Sequence, residues 1–120
     1  MATSKSAQTI GFMLTNCFSM IAFSAAIEPL RLANRVARTP LYVWRLFSED
    51  GVGAEASNGV RVSVEGKFAA ARGMDSVVVC SGVDVQSIDH RALIATLQRL
   101  DKNGVTLGAV CTGAYVLARA

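Results

Sequence analysis

The chain has 120 residues, 52% of them apolar and 18% charged, with a formal net charge of +3 and a mean hydropathy of +0.38. This suits one compact domain, or part of one, that buries a good share of its surface. The mild positive charge comes without the long Lys/Arg run of a nucleic-acid surface, so composition alone names no partner.

Three cysteines, Cys17, Cys80 and Cys111, are odd in number and widely spaced, and only His90 accompanies them. That pattern argues against a disulfide framework or a zinc site, and for a reducing compartment. The first fourteen residues carry one Lys and an apolar run too brief to cross a membrane, with no clear cleavage site. The expected location is the cytoplasm, with no membrane contact.

In chain order, residues 9–14 (TIGFML) form a nearly continuous apolar run, the pattern of a strand covered on both faces. Met20, Phe23, Ile27 and Leu30 then recur at helical spacing, with Ser19 or Asn16 placed to cap the start and Arg35 and Arg38 near the end. Pro29 falls inside this helix and removes a backbone donor, which predicts a kink or a helix in two parts. Residues 42–48 (YVWRLFS) alternate as a strand. Asn58-Gly59 predicts a tight type I′ hairpin, because both residues tolerate positive φ.

Residues 76–80 (SVVVC) read as a central buried strand opening into Ser81-Gly82. From Asp89 to Lys102, Leu93, Leu97 and Leu100 share one face of an amphipathic helix, with Asp89 as its cap and Gly104 as its stop. Residues 105–110 (VTLGAV) return to a strand, and a last helix begins at Gly113. The alternation predicts an α/β fold, a parallel sheet with helices on both faces and a small hairpin. The last helix ends after about two turns, which predicts an incomplete domain whose Tyr115, Val116 and Leu117 lack later elements to cover them.

The strand-to-helix turn at Cys111 carries the chemistry. Such a turn throws its side chain up at the carboxyl edge of the sheet and needs small neighbours, here Ala109 and Gly113. It also stands at a helix amino end, where N–H groups favour a thiolate or an oxygen anion. Ligands of open α/β sheets sit at that edge, so the loops at residues 15–19, 81–83 and 111 should converge there, with Gly82 close by and the N–H groups of Val83 and Thr112 as oxyanion donors. Three roles stay open for Cys111: a small buried residue filling the turn, a ligand-lining or redox-touched thiol, or a nucleophile.

The phrases SMIAFSAAIEPLRLANR, YVWRLFSEDG, EASNGVRV, VVVCSGVD and GAVCTGAYVLARA, in this order over residues 9–120, resemble the DJ-1/PfpI-like (class I glutamine amidotransferase-like) domain. More narrowly, they resemble the version that forms the N-terminal half of a group of AraC-type transcription regulators, nearest to regulators of quaternary-amine (carnitine, glycine betaine) or arginine catabolism. The resemblance implies a flavodoxin-like three-layer sandwich that senses a small molecule and forms a homodimer. DNA would be contacted only through a helix-turn-helix domain outside these 120 residues. It implies no cofactor.

Enzymes of the wider superfamily pair the elbow cysteine with an acid early in the first helix and commonly with a histidine. Here the acid position falls at Ile21 or Ala22, and Thr112 follows Cys111. Glu28 lies about 9 to 10 Å further along the helix axis. A nucleophile needs a base within hydrogen-bond reach, so a non-catalytic sensing domain is favoured over a cysteine hydrolase or glyoxalase-like enzyme using Cys111. The expected ligand-binding set is Cys111, Thr112, Gly82, Val83 and Glu28, the last as a carboxylate for a cationic ligand, with a surface ion pair as its alternative. Cys80 reads as a core thiol, Cys17 as packing in its loop, and His90 as a solvent-exposed residue. Arg31, Arg35 and Arg38 read as a solvated face, and Trp44, Met20 and Phe23 as core.

Overall fold

The computed structural model describes residues 7–120. Strands β1 (Gln8–Leu14), β2 (Tyr42–Ser48), β5 (Gly66–Lys67), β6 (Ser76–Cys80) and β7 (Thr106–Val110) form one sheet in the order β5-β2-β1-β6-β7. Every pairing in it is parallel, and β3 (Gly53–Glu55) and β4 (Arg61–Ser63) form a separate antiparallel hairpin. The helices are α1 (Met20–Ala37), α2 (Arg91–Lys102) and α3 (Gly113–Arg119). This is the expected flavodoxin-like α/β sandwich with a small hairpin.

Alternation along β1 builds the two sides. Ile10, Phe12 and Leu14 point to one apolar cluster with Phe18, Phe23, Ala54, Ala56 and Cys80, beneath α1 and the hairpin. Met13 points to the other, with Val77, Val79, Leu93, Leu97 and Val116 beneath α2 and α3. A strand buried on both faces must be apolar throughout, which is why TIGFML carries no alternation. Phe23 lies within the α1-side cluster, as expected of a core residue, whereas Trp44 and Met20 are half-buried and pack against it.

Ser19 caps α1, accepting a hydrogen bond from the Ala22 N–H at 3.2 Å. Pro29 does not divide this helix, which runs unbroken through it. The carbonyl that Pro29 leaves without a donor belongs to Ala25, and both residues are exposed, so that carbonyl is not a buried orphan. Arg31, Arg35 and Arg38 are exposed, and Arg38 ends the helix in a left-handed conformation at φ 57°.

Other expectations change. The hairpin turn is not type I′, because of Asn58 and Gly59 only Gly59 has positive φ, at 88°. Instead the Gly59 N–H bonds the Ala56 carbonyl and the Ala56 N–H bonds the Val60 carbonyl, a three-residue loop closed by a left-handed glycine. His90 is buried at 5% exposure, not solvated. The turn at Val85–Ser87 folds back over it, and Nε2 lies 2.6 Å from the Val85 carbonyl oxygen. Helix α2 begins at Arg91 with His90 in the cap position, while Asp89 accepts the Arg91 N–H at 3.0 Å. Val116 is fully buried rather than left uncovered, because α3 packs on β6 and β7. Tyr115 and Leu117 are half-buried.

That packing depends on Gly113. A Cβ there would overlap the Val79 carbonyl, whereas one at Gly108 meets no atom within 4 Å. Gly113→Ala should therefore destabilise the domain by about 1–3 kcal/mol despite alanine's better helix propensity. Gly108→Ala should change stability by less than about 0.5 kcal/mol. Denaturant unfolding of both variants checks this contrast, and equal stabilities would refute it.

Asp50 organises the turn between β2 and β3. The Val52 and Gly53 N–H groups, with further bonds from Ser48 and Arg61, hold its carboxyl at about 2, below its ordinary 3.8. A lowered folded-state value means that this stabilisation is complete above pH 4 and is lost as pH falls toward 2. Asp50→Ala should lower the thermal midpoint at pH 7, and the gap from the parent should close on acidification to pH 2.

Candidate functional site

Chain order reverses at β1. From there the chain first moves outward to β2, then returns to place β6 on the other side of β1. The carboxyl ends of β1 and β6 form the crevice where open α/β sheets bind ligands. Two backbone bonds tie their loops together: Thr15 N–H to the Cys80 carbonyl at 3.1 Å, and Ser19 N–H to the Ser81 carbonyl at 3.2 Å. The buried hydroxyls of Thr15 and Ser81 lie 2.7 Å apart. Gly82 bridges Phe18, and a Cβ on it would overlap the Cys17 carbonyl, so glycine is the residue that permits this approach. On its other side the Thr112 hydroxyl donates to the Gly82 carbonyl at 2.6 Å. Three loops thus meet on one glycine.

The hairpin joins them. Cys17 donates its N–H to the Glu55 carbonyl at 2.7 Å, the Ser57 N–H bonds the Phe18 carbonyl at 2.9 Å, and Phe18 pairs with Ala56. Phe18 itself is fully buried, anchoring loop and hairpin to the core.

Cys111 occupies the elbow between β7 and α3 in a left-handed conformation, φ 52°, with an exposed side chain. A non-glycine residue there stores strain that the surrounding packing must sustain. Exposure removes the first of its three sequence readings: Cys111 does not fill the turn as a buried residue. Cys17 is likewise left-handed, at φ 63°, and half-buried. Cys80 is a core thiol, fully buried, and burial pushes its thiol up to about 12.

Of the expected ligand-binding set, the fold brings together Cys111, Thr112, Gly82 and Val83, the last 57% exposed beside buried Gly82. Glu28 is not among them. It stands on the outer side of α1, about 12 Å along the axis from Met20 and away from the carboxyl edge. Its half-exposed carboxylate is held by the Arg31 guanidinium at 2.6 and 3.2 Å, which draws its pKa down. The surface ion pair is therefore the observed state.

Asp84 is a carboxylate that the sequence reading did not single out. It is exposed, left-handed at φ 58° and two residues beyond Gly82. The visible signal was that Asp84 is the first carboxylate after the valine strand. Thr15 and Ser81 were also missed, since two small polar residues at strand ends become a pair only through the β1–β6 register.

Of the two residues at which the acid position falls, Ile21 is 82% exposed and Ala22 is half-buried. Among the described residues, no three His, Cys, Asp or Glu side chains are grouped to hold a metal ion, and no helix is long and apolar enough to cross a membrane. A cavity of about 540 Å³ lies elsewhere, between α2, β7 and α3, lined by Leu97, Gln98, Asp101, Lys102, Leu107 and Leu117. It opens toward the amino end of β7, opposite the elbow, so the loop convergence and not cavity size locates the candidate site.

No family model matches the chain. It is 41% identical over 113 residues to the HTH-type transcriptional regulator GbdR of Pseudomonas aeruginosa, a match covering 94% of this chain and 31% of that regulator. The chain thus spans about a third of that relative's length. The structure of an AraC family transcriptional regulator from Pseudomonas putida superposes with a TM-score of 0.83 at 29% identity, covering 94% of this chain and 70% of that one. A DJ-1 superfamily protein from Agrobacterium tumefaciens shares the fold with a TM-score of 0.73 at 18% identity, over 92% of this chain and 56% of that one. By these likenesses the chain belongs to the family of AraC-type, GbdR-like transcription regulators, over a segment whose fold is that of the DJ-1 superfamily.

Proposed function

We propose that this chain is a non-catalytic, small-molecule-sensing domain of an AraC-type transcription regulator. It binds its effector at the carboxyl edge of the sheet and associates with a second copy of itself. DNA is read by a helix-turn-helix domain of the longer protein, in the reducing environment that three unpaired cysteines favour. The relatives named above support the regulatory role, since their sequences and one fold match this chain along most of its length.

The observation that carries the non-catalytic reading is the neighbourhood of Cys111. Covalent catalysis by a thiol needs a group that takes its proton or orients it. The acid position falls at Ile21 or Ala22, both apolar, and the residue after the cysteine, Thr112, commits its hydroxyl to the Gly82 carbonyl. What remains is a rigid mouth offering an exposed thiol, the backbone around Val83 and Thr112, and the carboxylate of Asp84. An exposed carboxylate next to apolar Val83 suits a small cation with an aliphatic body, such as a quaternary amine or a cationic amino acid. In this reading Asp84 supplies the charge first expected from Glu28.

One observation favours a second reading, a cysteine hydrolase or glyoxalase-like enzyme. The Cys111 thiol is exposed on a strained elbow, the placement that nucleophiles of this fold require. The two readings part experimentally. Calorimetric titration with glycine betaine, carnitine and arginine should show saturable binding of at least one, retained within about threefold in Cys111→Ala and weakened about tenfold in Asp84→Asn, the loss of one charge-assisted contact. Turnover of a thioester, amide or dicarbonyl substrate that vanishes in Cys111→Ala would establish the enzyme instead.

A further inference from the structure

No run of Lys or Arg stands in the sequence, yet the fold sorts the charges. The strands of the sheet are all parallel, and each helix starts at the carboxyl edge and ends at the amino edge. Asn34 exchanges hydrogen bonds with the Tyr42 backbone at 2.8 and 2.9 Å, which ties the end of α1 to the start of β2. Gln98 reaches the Ala120 carbonyl at 3.2 Å, which ties the end of α2 to the end of α3. Six basic side chains therefore gather at the amino edge: Arg35 and Arg38 from α1, Arg72 from the loop before β6, Arg99 and Lys102 from α2, and Arg119 from α3. Two carboxylates accompany them, Asp75 and Asp101, and Asp75 accepts the Thr9 N–H at 2.8 Å.

The carboxyl edge has the opposite balance. Glu49, Asp50, Glu55, Glu65, Asp84 and Asp89 stand there against Arg61, Lys67 and Arg91, and two of those three cations are already ion-paired. Among the described residues, none of the six amino-edge cations forms an ion pair. Basic groups in a last helical turn ordinarily offset the helix dipole, but each helix end supplies roughly half a negative charge. Three such ends offset less than half of the net four positive side chains. Arg72 belongs to no helix at all. Arg99 is half-buried, and its Nη2 donates to the Ala69 and Ala71 carbonyls at 3.2 Å each, so its guanidinium is fixed without a carboxylate. Both arginines line one hollow of about 270 Å³, together with Met74, Leu100, Asn103 and Val105.

We infer that the amino edge docks on the phosphate backbone of DNA, with Arg72 and Arg99 at its centre. The choice of polyanion rests on the regulator reading proposed above. The contact is independent of base sequence and adds to the reading of bases by the helix-turn-helix domain, since phosphate contacts position a protein on a duplex without specifying the site. A guanidinium already held in place presents a fork that matches a phosphate group. Strand order sets Arg72 between the α1 pair, beside β2, and Lys102 and Arg119, beside β7. The cations thus spread over three strand spacings, about 14 Å, a span that meets about three to four phosphates at 3.4 Å of rise along one DNA strand. The acidic edge then points away from the duplex and stays open to a cationic effector.

Fluorescence anisotropy of labelled duplexes with the 120-residue chain tests this. Two duplexes of unrelated sequence should bind equally, with a Kd of about 10–100 μM at about 25 mM salt, and weaken about 60-fold by about 100 mM, the dependence expected of three to four phosphates. Arg72→Ala should lower the logarithmic salt slope by about one. Arg72→Glu/Lys102→Glu should abolish binding with an unchanged circular dichroism spectrum, since both side chains are exposed. Arg61→Glu/Lys67→Glu changes the net charge equally at the other edge and should bind within about threefold of the parent. No binding at 25 mM salt, or equal loss in the two double variants, would overturn the docking face. A chain that binds neither duplex yet still binds effector would end this inference and leave the sensing reading standing. Binding to vesicles of anionic phospholipid without binding to either duplex would assign the edge to a membrane surface instead.

Discussion

The candidate site depends on how closely two backbones approach at Gly82. The loop after β6 lies against the loop after β1 so tightly that any side chain at this position would overlap the Cys17 carbonyl. With no side chain in the way, the Phe18–Gly82 bridge forms, Ser19 reaches the Ser81 carbonyl, and the cap of α1 is set at a fixed place relative to the sheet. Thr112 then draws the elbow in from the third side. One missing Cβ thus lets three loops share a single rigid junction, and the hairpin reaches it through Cys17 and Phe18.

Rigidity there explains how Cys111 is held in a left-handed conformation. Such a residue costs of order 1–3 kcal/mol and persists only when its surroundings leave it no alternative. Here β7 is registered on β6, Gly113 seats α3 directly against the Val79 carbonyl, and Val116 is fully buried behind it. The strand before the cysteine and the helix after it are both fixed, so the turn between them has to absorb the change of direction. Geometry of this kind serves a nucleophile, and it serves a binding mouth equally well. The groups that would distinguish the two are a base and an acid; Thr112 follows the cysteine, and the acid position of the resemblance falls at Ile21 or Ala22.

Much of the fold was legible in the sequence. The apolar run TIGFML, the valine run ending in Cys80 and the leucine face of α2 each reflect a local pattern that burial on one or two sides demands. β2 fell on residues 42–48 as its alternation indicated, and the elbow at Cys111 followed from small residues between a strand and a helix. Short β5 was not legible, because two residues, one of them glycine, carry no period. Nor was the hairpin turn, since Asn58 tolerates positive φ without requiring it.

The sequence by itself determined which elements form and which thiol stands at the elbow, because hydrophobic period, caps and small-residue turns act over a few neighbouring positions. Tertiary structure decided which candidate residues come together. Glu28 and Asp84 are both carboxylates near apolar residues, and the direction in which α1 leaves the carboxyl edge carries the first away, while the second lies on the loop after β6, two residues beyond Gly82. It also decided that His90 is buried and that Thr15 meets Ser81, since each depends on what a distant part of the chain covers or leaves open.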